Sequence, residues 1–500
     1  MTALVLSLLL CLLVGAVLDR ALLGAPGQGV IETLGRGLML GLGAVGTLAI
    51  LTDGLGLGAG PGAVFGACGL LVLVLARPAW MASARGTGSA PPAPRWSGWQ
   101  PEAGHVLLLL LAAVGVGFAV HSGWVRPTFQ FDATTRWMFK TKVLFFDGTL
   151  LGDVSRDPAF GLTHQRYPPL VSYVSHLPGL FSGQFDDRIA SAIYPWFPVA
   201  MTAVVYGALR RRSGKLCGAL GAFWVANLPL LSFIIGPPPG AGAASAMADI
   251  PLGLFVVGAG LAVVDALEDR RPRAHLEAGL LLGFAALTKN EGLPFVAALC
   301  LGVLVSAPRG RWRRAAGLAA LGVGLYALVW GWISLGLPIT DEHYPDRLNA
   351  AAFQQGLDRL GLILPQLGRE LMDFRSWNLT WGAILVLLVA GGRRLWTLPA
   401  ARALAVAFVV QVASYVLAYV ITSWTSPAAE IISEANEGDP VSVLMNLTMG
   451  RLLMQVAPLA VVLALCVSPL EPRPAPAPAG APEPPPEPTP GPAPEPGRSG

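Results

Sequence analysis

Runs of about 20 apolar residues recur from one end of this chain to the other, and no other feature limits its fold as strongly. Each run can cross a hydrocarbon core about 30 Å thick at 1.5 Å of helical rise per residue. In lipid the backbone must satisfy its own polar groups, so such runs are helices. About 13 are readable, at 2–18, 37–52, 59–76, 105–122, 190–209, 216–235, 243–265, 276–288, 293–307, 315–335, 380–391, 401–422 and 452–468. Those at 276–288, 293–307 and 380–391 are short for a full crossing and read as tilted, re-entrant or buried helices. With 54% hydrophobic and only 13% charged residues, the chain has roughly half the charge of a soluble domain. The expected fold class is an all-α polytopic membrane protein.

The five cysteines, Cys11, Cys68, Cys217, Cys300 and Cys466, all lie in apolar runs without paired spacing, which suits small packing residues better than a disulfide or metal framework. A net charge of +4 gives no footing for nucleic acid. Residues 1–18 resemble a signal peptide in hydropathy. They lack a basic leader and are followed at once by further spans, so they read as a first helix.

Orientation follows from short basic loops, because Lys and Arg stay on the cytoplasmic side. RRRSGK (210–215), EDRRPR (268–273), PRGRWRR (308–314) and GGRR (391–394) fall an even number of spans apart, so all four share one face. The segments 123–189, 289–292, 336–379 and 423–451 are then exoplasmic. Residues 77–104, with SAPPAPR, read as a cytoplasmic linker, and the proline-rich residues 469–500 as a disordered cytoplasmic tail.

The exoplasmic segment 123–189 opens with FDATTRWMFKTKVLFFDG, which sets Asp132 before Trp137, Lys140 and Lys142. It continues through Asp153 and Asp157 to THQRYPPL, with His164, Arg166 and Tyr167 ahead of the stiff Pro168-Pro169 pair. Its aromatic residues make parts of it amphipathic, suited to lie along the membrane surface where a lipid head group is in reach. Each residue also has a plain reading: Asp132 pairs with Arg136 four residues on, and Lys140 and Lys142 snorkel.

Three further places lie on the same face. Asp249 stands near the exoplasmic end of span 243–265, where an ionisable residue is costly and is either paired or functional. Lys289, Asn290 and Glu291 occupy a break between two apolar runs, which is tolerated only against protein or a wet cavity. Arg451 sits at the mouth of the last span. A buried Lys289–Glu291 pair and an anchoring arginine are the plain readings there. Together these are carboxylates able to take a proton from a hydroxyl and cations able to hold a departing phosphate, arginine by two parallel hydrogen bonds.

The order of these motifs resembles the GT-C superfamily of integral-membrane glycosyltransferases, which includes protein O-mannosyltransferases and the aminoarabinose transferase of lipid A. The matching elements are Asp132 in the first long exoplasmic loop, HQRYPPL after it, Asp249-Ile250-Pro251-Leu252, the Gly279–Lys289 segment ending in LTK, and Arg451 to Pro458. They cover roughly residues 105–468, and WMFKTK, HQRYPPL and KNEG look closest to a bacterial subgroup.

The resemblance implies about 10 core helices at 105–468, with three N-terminal helices at 1–76 outside it. It implies transfer of a sugar from a polyprenyl-phosphate carrier to a lipid, glycan or protein acceptor, with inversion, at the exoplasmic side of a bacterial-type inner membrane. Asp132 would then be the base or an acid that positions the acceptor, with Asp249 and Asp157 as further catalytic acids. Trp137, Lys140, Lys142, His164, Arg166, Tyr167, Lys289, Glu291 and Arg451 would contact substrate. The sequence departs from the lipid A transferases in having Tyr167 where a lysine precedes Pro-Pro. These motifs fix no cofactor, and some members of the superfamily use a divalent metal. Asp341, Glu342, His343 and Asp346 form a hard-ligand cluster that either holds a divalent metal or is a solvated loop. A polysaccharide polymerase or ligase using diphosphate-linked donors, and a transporter or flippase, stand as alternatives.

Overall fold

A computed structural model describes residues 1–23, 29–85, 103–126, 128, 130–229, 245–268, 271, 273–306, 310–338, 347–422 and 440–468. Every regular element among the described residues is helical. In chain order the main helices are α1 (Thr2–Leu18), α2 (Val30–Gly54), α3 (Pro61–Arg85), α4 (Ala103–Val125), α5 (Met138–Asp147), α6 (Leu170–Ser182), α7 (Trp196–Ser213) and α8 (Lys215–Ala226). They continue with α9 (Asp249–Leu267), α10 (Ala274–Thr288), α11 (Gly292–Ser306), α12 (Arg311–Tyr326), α13 (Leu360–Leu371), α14 (Thr380–Ala390), α15 (Pro399–Ile421) and α16 (Pro440–Val467). Each of the 13 apolar runs corresponds to one of these helices. Eight described helical stretches are long and apolar enough to cross a membrane, and the runs expected to be short are α10, α11 and α14.

The helices at the start of the chain are built into the same core as the rest. α2 is buried around most of its circumference and packs on α1, α6, α7 and α10. Its glycines make this close approach feasible. A methyl on Gly41 would lie 1.8 Å from the Cys11 carbonyl oxygen in α1, and one on Gly43 would lie 2.2 Å from the Phe284 ring of α10. Small residues spaced four apart are the usual way two membrane helices come into backbone contact, and Gly37 and Gly41 are so spaced. α3 runs on to Arg85, into the segment expected as a linker. The proline-rich 469–500 and the metal candidates Asp341, Glu342, His343 and Asp346 lie outside the described residues.

The basic segments gather at one end of the bundle. Arg211 pairs with Asp265 at 3.2 Å, Arg314 donates to the Ala266 carbonyl at 3.4 Å, and Arg402 donates to the Ser306 carbonyl at 3.4 Å. The segment 123–189 caps the opposite end, and much of it is packed against protein. The first nine residues of α6 are buried, as is Trp137, while Phe131 and Phe146 stay exposed. Asp53 at the end of α2 ties this cap down, accepting from the Tyr173 hydroxyl at 2.5 Å and the Leu150 amide at 2.8 Å.

Candidate active site

Asp132, Asp249, Lys289, Glu291 and Arg451 come from four separate stretches of chain and meet at this capped end. Asp132 precedes a single π-turn, Ala133–Trp137, that leads into α5. Its Oδ2 accepts from Arg451 Nη1 at 2.6 Å, and its Oδ1 lies 3.5 Å from Arg136 Nη2. The pairing with Arg136 four residues on is therefore real, and Arg451 is added to it.

Asp249 is the first residue of α9, where the unpaired amides and the helix dipole favour an anion. Pro251 fits the same first turn because its missing N–H has no helical acceptor there. The carboxylate is saturated. Oδ1 accepts from Lys289 Nζ at 2.9 Å and from Gln455 Nε2 at 2.6 Å. Oδ2 accepts from Arg451 Nη2 at 3.1 Å and Nε at 3.2 Å.

Lys289 is presented by the turn that ends α10. Its backbone is extended, and the Gly292 amide donates back to its carbonyl at 2.9 Å. Only a glycine fits at 292, since a Cβ there would lie 2.2 Å from the Ala285 carbonyl oxygen. The Lys289 ammonium also meets Glu291 Oε1 at 2.7 Å. The motif glycines upstream serve packing, with Gly279 and Gly283 against Leu321 and Leu325 of α12.

The two ends of the cluster differ in charge behaviour. Burial raises the Asp132 carboxyl, yet the Arg451 and Arg136 guanidiniums outweigh it and hold the group below its usual range. Burial lowers the Lys289 ammonium, yet Asp249 and Glu291 reverse this and hold it above its usual value. The Asp132 side chain is 15% exposed and that of Asp249 only 1%, so of the two aspartates Asp132 is the one that a second molecule can reach.

The remaining expected residues form a support behind Asp132. Lys140 Nζ donates to the carbonyls of His164 and Tyr167 at 2.8 and 2.9 Å and lies 5.8 Å from the centre of the Trp137 ring. Tyr167 meets Trp137 and His164 edge to face. The knot fixes HQRYPPL against the start of α5. Arg166 joins it to the chain beyond α12, donating from Nε to the Leu337 carbonyl at 2.8 Å. Asp157 caps the 3-10 turn Pro158–Thr163, accepting from the Ala159 amide at 2.8 Å. Lys142 points outward and is exposed.

Two members of the cluster escaped the sequence reading. Gln455, one turn past Arg451, donates to Asp249, and the Tyr415 hydroxyl donates to Gln455 Oε1 at 2.8 Å. Beside them Val412, Tyr415, Val416, Tyr419, Met449 and Leu453 line a shallow apolar crevice, with room for about one water molecule, between α13, α15 and α16. Among the described residues no three His, Cys, Asp or Glu side chains are placed to share a metal ion.

The sequence model of the dolichyl-phosphate-mannose-protein mannosyltransferase family matches residues 168–332. This is a GT-C family of membrane glycosyltransferases, as the order of motifs leads one to expect, and the match holds Asp249, Lys289 and Glu291. It covers about a third of the chain and starts at the Pro-Pro-Leu element. No curated protein matches the chain.

Proposed function

We propose that this chain transfers a sugar from a polyprenyl-phosphate carrier to an acceptor hydroxyl at the exoplasmic face, with inversion at the anomeric carbon. The observation that carries the reading is Arg451 bridging the reachable Asp132 and the buried Asp249, with Lys289 on the far side of Asp249. Base and phosphate-binding cations thus stand within one hydrogen-bonded group. In the reaction the acceptor oxygen attacks the anomeric carbon and its proton passes to Asp132. The bond from that carbon to the phosphate oxygen breaks, and its electron pair leaves with the carrier phosphate toward Arg451 and Lys289.

Asp249 takes a different part from Asp132. All its accepting positions are filled by Lys289, Gln455 and Arg451, so it orients the two cations and receives no proton. The match to a family of dolichyl-phosphate-mannose enzymes favours a monophosphate carrier over the diphosphate donors of polymerases and ligases.

The test is transfer or hydrolysis of a radiolabelled polyprenyl-phosphate sugar by the purified protein in detergent, with lipid extract as acceptor. Label released or moved by the wild type and lost in Asp132→Asn supports the reading. A panel of monophosphate donors untouched by the wild type overturns it.

A further inference from the structure

At the end of the bundle away from Asp132, buried and half-buried charges form an alternating chain that begins and ends on the first 32 residues. Arg36 of α2 donates to Asp19 at 2.6 Å and, with its other amino group, to Glu277 of α10. Arg271 joins Glu277 to Asp265 of α9, each at 2.6 Å. Arg211 of α7 joins Asp265, at 3.2 Å, to Glu32 of α2.

This chain stands on the two helices that carry the site. α10 presents Glu277 at one end and Lys289 just past the other, and α9 has Asp265 at one end and Asp249 at the other. Neither helix contains a proline beyond its first turn, so each transmits position as a rod over about 18 to 24 Å at 1.5 Å per residue. A slip of one residue at Glu277 turns Lys289 by about 100° away from Asp249.

Attachment of α2 does not need these charges. Glycine contacts to α1 and to Phe284 already seat it, and buried ion pairs are poor net stabilisers compared with apolar packing. What a buried charge pair specifies well is register. We infer that Arg36, with Glu277, Arg271 and Asp265, is a positioning device that sets the axial and rotational register of α9 and α10, and so holds Lys289 against Asp249. Its effect on sugar transfer rests on the proposed function, whereas its effect on register does not.

The test reads register directly. Spin labels are placed at the exposed Asn290 and Thr134, which flank the cluster, in a protein whose five native cysteines are replaced, and their separation is measured by pulsed electron resonance. With Arg36 present the distances form one narrow distribution. Arg36→Met, which keeps the stem but loses both hydrogen bonds, broadens or displaces it by several ångströms. Transfer per folded molecule then falls ~10–100-fold, as for a misplaced catalytic group, with a larger effect on kcat than on KM. Arg36→Lys keeps the charge but cannot reach both acids, and it restores the distribution in part.

Should Arg36→Met fail to fold, Glu277→Gln, equal in size, gives the same reading. A distribution superposable on that of the parent, in folded Arg36→Met or Glu277→Gln, overturns the inference whatever happens to activity. Broadening in a protein whose parent transfers no sugar upholds the register device and removes the transferase reading instead.

Discussion

Arg451 and Asp132 lie 319 residues apart in sequence and 2.6 Å apart in space, and their contact closes the first loop onto the last helix. The same guanidinium holds Asp249 with two other nitrogens, so one side chain fixes the distance between two carboxylates. The fold brings them together because α9 and α16 pack side by side, with Gly253 of α9 leaving room for the Met454 and Gln455 carbonyls.

Asp132→Asn is expected to lower turnover about 100-fold or more, the usual scale for a lost general base. The amide still fits beside Arg451, and Asp249 keeps that guanidinium paired, so the thermal midpoint should change little. Rates of label transfer alongside a melting curve check both halves; near-normal turnover removes Asp132 from the role of base.

Arg451→Lys should weaken donor use, because a single ammonium cannot span Asp132 and Asp249 and still offer two parallel contacts to a phosphate. Arg451→Met goes further and leaves Asp132 and Asp249 short of a partner. Breaking a buried pair in this way costs about 3–5 kcal/mol, so this variant should unfold at markedly lower temperature. Donor titrations of the lysine variant and thermal melts of the methionine variant are the measurements.

The acid limb of the pH–rate profile offers a separate check. Asp132 is held below its ordinary value of 3.8 by Arg451 and Arg136, so the native state binds its proton less readily than the unfolded chain. Its contribution is then complete above that ordinary value and is lost as pH falls through the lower native one. Turnover should stay flat from about pH 7 to about pH 5 as far as this group decides it. Arg136→Met removes one cation and should move the acid limb upward; an unmoved limb means that Asp132 does not limit the rate there.

His176 runs the other way. Burial pushes its imidazole down from 6.5 to about 4, and its Nε2 lies 3.3 Å from the Ala59 carbonyl. A base with a lowered native value stays neutral while the unfolded chain takes up a proton, so stability falls as pH drops from 6.5 toward 4. His176→Phe keeps a ring against Phe145 and should flatten the fall of the melting midpoint over that window.

Much of this was legible in the chain itself. Asp132, Asp249, Lys289 and Arg451 stand out because each ionisable group interrupts or borders an apolar run, where it must be paired or functional. Gln455 and Tyr415 were not, since a lone amide or phenol within an apolar run looks like packing. The available signal was spacing, for Gln455 lies four residues after Arg451 and so shares its helix face. Lys140 was legible as a cation but not in its direction, which depends on the His164 and Tyr167 carbonyls turning toward it. Arg36 was hidden for a different reason: its acids come from Asp19 and Glu277, and no local pattern announces a contact across 241 residues.

The turn at Gly292 gives the sharpest test of how the site is held. A methyl at this position meets backbone, with the Ala285 carbonyl oxygen at 2.2 Å and the Ala286 nitrogen at 2.6 Å, and backbone cannot step aside as a flexible side chain can. Gly292→Ala must therefore displace the turn that carries Lys289, at a cost of about 1–3 kcal/mol for overpacking. Gly382 of α14 is a matched control, because a methyl there meets nothing within 4 Å. Gly292→Ala is expected to fold, melt earlier and lose most of its transfer activity through loss of the Lys289–Asp249 contact. Gly382→Ala should match the wild type in both respects. Equal activity in the two alanine variants would show that the reaction tolerates a displaced Lys289, and with it that the ammonium does not hold the leaving phosphate.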